Sequence, residues 1–165
     1  MIKKCLVQVI FVVLIIFFSG CENNKIKKIN EESTPHQISS GVLSIEDPWI
    51  RPASSGTNTA LFFKVINSTN KPDTLYGAES ELAEIVEVHE TYQKGADMMG
   101  MRHVGQVVVP SGATIEFKPR DLHVMFIRLY DNLLIADSGD AVLLFKNAGK
   151  VKIKAVVRDM PIMRE

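Results

Sequence analysis

The chain has 165 residues, 46% of them hydrophobic, and 19 basic side chains balance 19 acidic ones. That length and balance suit one globular domain. They exclude the basic excess of a nucleic-acid-binding surface and the acidic run of a solvating tail.

The N-terminus differs from the rest. Lys3 and Lys4 precede an apolar stretch from Leu6 to Phe18, broken only by Gln8, and "FFSGC" follows. A basic segment, a short apolar segment and small residues before a cleavage point make a secretory signal. At about 13 residues the apolar run falls short of the ~20 that a membrane span needs, with a retained anchor helix as the competing reading. Ser19-Gly20-Cys21 resembles the lipobox of bacterial lipoproteins, with Phe18 where leucine is usual. That resemblance implies that residues 1–20 are a signal peptide, that Cys5 leaves with it, and that Cys21 becomes a lipidated N-terminus on a membrane outside the cytoplasm. The remaining chain then has no free thiol. A disulfide framework, a zinc–thiolate site and a cysteine nucleophile are all closed to it, which suits an oxidising compartment.

Residues 21–41, ending "ENNKIKKINEESTPHQISSG", are polar and cannot bury a core. They read as a tether, with His36 a solvated residue within it; a coil of about 20 residues spans roughly 25 Å. Residues 42–165 form the expected domain. "VLSIEDPWI", "TALFFKVIN", "AEIVEVHE", "HVGQVVVP", "ATIEFK", "HVMFIRLY", "AVLLFK" and "KVKIKAVVR" are short runs rich in Val, Ile and Phe. Gly, Pro, Asn and Asp punctuate them, as turns require. The last run alternates most clearly, with Val151, Ile153, Ala155 and Val157 inward and Lys152, Lys154 and Arg158 outward. "ESELAEIVE" has room for one helical turn, and "GADMMGMRH" reads as a loop entering the next strand. The fold class expected is all-β, a sandwich or barrel.

Few residues here can do chemistry. Beyond His36 there are His89, His103 and His123, and four of the seven methionines fall between positions 98 and 125. Thioethers with imidazoles and no thiol suit soft metal ions such as Cu(I), and suit Zn²⁺, Mg²⁺ or Ca²⁺ poorly. On a strand, His123 and Met125 share one face. His89 lies out of phase with Val86 and Val88, which argues against a place in the core. Taken singly, each methionine suits core filling and each histidine suits a structural hydrogen bond.

The spacing adds to this. Ten residues separate His89 and its neighbour Glu90 from Met101, and twenty-one more lead to His123-Val124-Met125. The pattern resembles the signature of the PCuAC family of bacterial periplasmic copper chaperones, H-(M)-x10-M-x21-H-x-M. "DPWIRPA", "VPSGATIEFKP" and "LHVMFI" resemble the sequence around it. The resemblance covers roughly residues 42–158 and implies a Greek-key, cupredoxin-like β-sandwich. It implies Cu(I) bound by His89, Met101, His123 and Met125. His103 departs from the family pattern and offers an extra imidazole, with a surface histidine as the favoured reading, and Met98 and Met99 are the alternatives to Met101. It also implies delivery of copper to an acceptor such as the binuclear copper centre of cytochrome c oxidase or its assembly factors, and the chain is expected to act as a monomer. Glu90 replaces the optional methionine, and "RDMPIMRE" carries no histidine for a second site. A blue-copper carrier would need a cysteine thiolate, and no nucleophile–base pattern for an enzyme stands out. A structural or interaction β-sandwich lipoprotein without metal is the remaining alternative.

Overall fold

The structure is a computed structural model that describes residues 42–95 and 98–160. The expected signal peptide, Cys21 and the tether lie outside the described residues. Ten strands account for the domain: β1 (Leu43–Ile50), β2 (Thr59–Asn67), β3 (Asp73–Glu79), β4 (Ala83–Gln93), β5 (Met99–His103), β6 (Val107–Val109), β7 (Thr114–Phe117), β8 (Leu122–Leu129), β9 (Ser138–Phe145) and β10 (Gly149–Val157). Among the described residues there is no helix.

Hydrogen-bonded neighbours run in the order β5-β4-β8-β2-β1-β10-β9-β3-β6, with β7 also paired to β2. The ladder folds on itself at β1, which pairs antiparallel with β2 and parallel with β10 through Trp49–Val156 and Ile50–Val157. A register shift between Glu46 and Trp49, with Asp47 at φ 47°, bends β1 there. Bulges of this kind increase twist and let one strand serve two sheets. Alternation then directs one side chain in two inward. Leu61, Phe63 and Val65 from β2, and Val124 and Phe126 from β8, meet Leu75, Leu143, Phe145 and Val157 in one core. Each such side chain contributes about 1.5–3 kcal/mol on full burial.

Polar groups inside that core are paired, as burial demands. Asn67 is wholly buried; its Nδ2 donates to the carbonyls of Lys71 and Val109, and its Oδ1 accepts from Thr69 N and Oγ1. The side chain thus closes the β2–β3 turn.

Two strands depart from the sequence reading. "DTLYGAE" forms β3 despite its polar composition, because Leu75 and Ala78 face the core while Tyr76 faces out. The methionine-rich segment read as a loop is β5, an edge strand paired to β4 from His89–His103 to Gln93–Met99. "HVGQVVVP" divides at Val104–Gln106, its histidine ending β5 and its valines forming β6. The helical turn allowed in "ESELAEIVE" does not form; β4 begins at Ala83.

Candidate metal centre

The outer face of β5-β4-β8-β2 carries the polar donors. His89 on β4 pairs directly with His123 on β8 and with His103 on β5. Three imidazoles therefore stand in one cross-strand row, with ring centres 6.1 Å apart for His89–His123 and 6.0 Å for His89–His103. The row continues across Phe62, 6.3 Å from His123, to Trp49, 4.5 Å from Phe62. With metal–nitrogen bonds of about 2 Å and about 1.1 Å from ring centre to nitrogen, two imidazoles sharing an ion lie at most ~6.2 Å apart. Both histidine pairs meet that limit.

Hydrogen bonds decide which nitrogen is free. His123 Nδ1 lies 2.8 Å from the carbonyl oxygen of Asp121, which can only accept, so Nδ1 carries the proton and Nε2 the lone pair. His89 Nε2 lies 2.8 Å from the Glu87 carboxylate, which assigns the proton of the neutral ring to Nε2. Its Nδ1 is buried with no hydrogen-bond partner. A buried lone pair without a donor requires a reason, and an ion is one. Backbone carbonyls and carboxylates holding the far nitrogen are the usual support for ligating histidines.

Burial also keeps His123 neutral. Desolvation pulls its pKa below the ordinary 6.5, the Asp121 carbonyl pushes it back up, and the charges of His89 and Arg51 lower it further. His123 is only 4% exposed.

The methionines flank this row. Met125 shares the His123 face and pairs across to Glu87, while Met101 pairs with Thr91. Each is therefore a diagonal neighbour of His89, on opposite sides, within reach of a long side chain. Met99, Met101, His123 and Met125 all line one cleft of about 470 Å³. Its floor is apolar, since Met125 packs on Trp49, Ala60 and Phe62 in a cluster separate from the main core. Met101 and Met99 are 60% and 59% exposed at the rim. Met98 precedes β5, outside the cleft, and His103 is exposed at the far end of the row. Among the described residues no group of three or more His, Cys, Asp or Glu converges as a harder ion would require. A more voluminous hollow between β3, β9 and β10 is lined by paired charges such as Lys154–Asp140 at 3.0 Å and contains no His or Met.

Some contributors were not singled out from the sequence. Phe62, Arg120 and Met160 come from distant segments and have no local signal, whereas Trp49 and Arg51 lie in the "DPWIRPA" segment quoted for its resemblance without a role assigned to either. Glu87 had one: it lies two residues before His89 on the same strand face.

Known proteins resemble this chain in sequence and fold. The family model described as "Putative lipoprotein LpqE-like" matches residues 43–157. "Putative lipoprotein Lxx21020" of Leifsonia xyli subsp. xyli (strain CTCB07) is 29% identical over 127 residues, 76% of this chain and 75% of that protein. The copper-bound PCuAC domain from PmoF2 is 26% identical with a TM-score of 0.59, covering 73% of this chain and 95% of that domain. The solution structure of CuI-DR1885 from Deinococcus radiodurans shares the fold at 20% identity, with a TM-score of 0.56 over 72% of this chain and 80% of that one.

Proposed function

This chain belongs to the LpqE-like family and carries a PCuAC-type, cupredoxin-like β domain, and from that premise we propose that it is a copper chaperone holding Cu(I) between His89, Met101, His123 and Met125. The observation that carries this reading is the His89–His123 pair. Each ring has one nitrogen tied to the protein and one lone pair free, with thioethers on both sides.

The donor set suits the cargo. Two imidazoles and two thioethers are neutral, soft-to-borderline ligands that favour Cu(I) over harder ions. None is a thiolate, so a thiolate-bearing acceptor can outcompete them. The site is also asymmetric: His123 and Met125 belong to the packed sheet, whereas Met101 is on an exposed edge strand. Met101 is thus the donor an incoming ligand displaces first. Binding and transfer, rather than catalysis, is the role this arrangement serves.

Residues 1–20 as a signal peptide, lipid on Cys21 and a tether to residue 41 would place the domain outside the cytoplasm near a membrane. The acceptor implied by the family resemblance is a cuproprotein such as cytochrome c oxidase at its binuclear copper centre. The test is anaerobic loading with Cu(I), followed by metal analysis and X-ray absorption. One copper per chain with two nitrogen and two sulfur neighbours supports the reading. No retained copper, or a shell without sulfur, overturns it in favour of a metal-free interaction domain.

A further inference from the structure

The cleft lined by Met99, Met101, His123 and Met125 is also lined by two arginines, Arg51 and Arg120, and among the described residues no carboxylate lines it. This is the reverse of what attracts a free cation. The other described arginines are all paired: Arg102 with Glu90, Arg128 with Glu84, and Arg158 with Asp47. Arg51 and Arg120 have no side-chain hydrogen bond or ion pair among the described residues, and both face the same cleft.

Their backbones are held in place. Arg51 N donates to the Ala60 carbonyl at 3.2 Å, and its own carbonyl accepts from Thr59 Oγ1 at 2.6 Å. Arg120 stands at φ 67° in a turn closed by Asp121 N to Lys118 O (3.1 Å) and Lys118 N to Leu122 O (2.8 Å). That turn arises because β2 changes partner, pairing with β7 through Phe63–Phe117 and with β8 through Leu61–Val124. The turn between the two strands contributes Pro119 and Arg120 to the lining of the cleft. Arg51 lines the cleft together with His123.

We propose that Arg51 and Arg120 form a carboxylate-binding subsite at the mouth of the cleft, which seats an anionic group beside the soft-donor centre. The inference rests on the copper reading for its purpose. Cu(I) on neutral donors keeps its positive charge, and two unpaired guanidiniums add to it. A carboxylate brings the compensating charge and matches the planar guanidinium fork in bidentate fashion. It has two sources: a small carboxylate that accompanies copper, or an acidic side chain of the protein that exchanges copper with this one.

The experiment uses the full chain in detergent and calorimetric titration with two probes. Citrate stands for the small carboxylate, and a blocked Gly-Asp-Gly-Glu-Gly peptide stands for the acidic side chain. Saturable binding of either, weakened about 10-fold or more in the Arg51→Gln/Arg120→Gln pair, supports the subsite, and the tighter probe identifies the source. Binding of neither probe at millimolar concentration, or binding unchanged in the paired variant, overturns it. Should that pair fold poorly by circular dichroism, Arg51→Lys/Arg120→Lys keeps the charge and removes the fork. A loss of several-fold in the lysine pair supports the subsite, and unchanged affinity overturns it. Cu(I) stoichiometry in the same samples separates the two ideas. A wild type that binds carboxylate without copper sinks the chaperone reading alone, and copper binding with arginine-independent carboxylate binding sinks the subsite alone.

Discussion

Glu87 offers the sharpest test of how the centre is built. Its carboxylate lies 2.8 Å from His89 Nε2 and does not line the cleft. It orients the ring that presents an unpartnered Nδ1. Removing such a support costs about 10–100-fold in metal affinity. In Glu87→Ala the ring loses its anchor and its tautomeric preference, so Cu(I) affinity should fall by that factor in competition against a chromophoric Cu(I) chelator. Stability should move far less. Glu87 is 38% exposed in its side chain, and partly solvated ion pairs contribute about 0–1 kcal/mol. For the roughly 120 residues that fold here, 1 kcal/mol corresponds to about 4 °C in Tm. Glu87→Gln keeps an acceptor for Nε2–H and should recover part of the affinity. Two results would refute the reasoning: wild-type affinity in Glu87→Ala, or a large loss of Tm with no specific loss of copper.

Further outcomes follow from the same geometry. Met125→Leu conserves volume against Trp49, Ala60 and Phe62, so it should cost less than about 1.5 kcal/mol. Its Cu(I) X-ray absorption spectrum should show one sulfur fewer, and an unchanged spectrum would remove Met125 from the ligand set. His123 has its folded pKa lowered by burial, so the unfolded chain binds the proton more readily. The metal-free protein should then lose stability as pH falls from about 6.5 toward the folded-state value, and be insensitive to this group above ~6.5. Urea midpoints measured from pH 7.5 down to 5.5 check this, and the slope between them should flatten in His123→Gln. A steady or rising midpoint in the wild type would count against a buried neutral ring. Gly139→Ala would put a Cβ 2.5 Å from Leu82 Cδ1 and 2.9 Å from Ile50 Cδ1. Overpacking of that kind costs about 1–3 kcal/mol, and thermal melting should show it with copper stoichiometry intact.

The all-β class was legible in residues 42–158 because half-buried strands impose an alternation that survives without any neighbour. Val124 and Phe126 read as core and are wholly buried, while His123 and Met125 occupy the opposite face. The His/Met spacing was legible too, since separation along a chain needs no fold to be counted. Other features were beyond sequence reading. "MGMRH" has weak strand propensity, and it becomes β5 only because β4 offers a free edge for its backbone hydrogen bonds. Pairing, once formed, aligns His103, His89 and His123 from three separate segments, and no local pattern encodes that register. Arg51 and Arg120 lie sixty-nine positions apart, and only the β1 end and the β7–β8 turn bring them to one cleft. Sequence by itself determined which residue types were available and which strand face each would take, because both are local properties of the backbone. Tertiary structure alone decided which faces meet and which charges lack a partner, because those depend on groups far apart in the chain; the nitrogen each ligand histidine leaves free is set locally, by Glu87 and Asp121 two residues away.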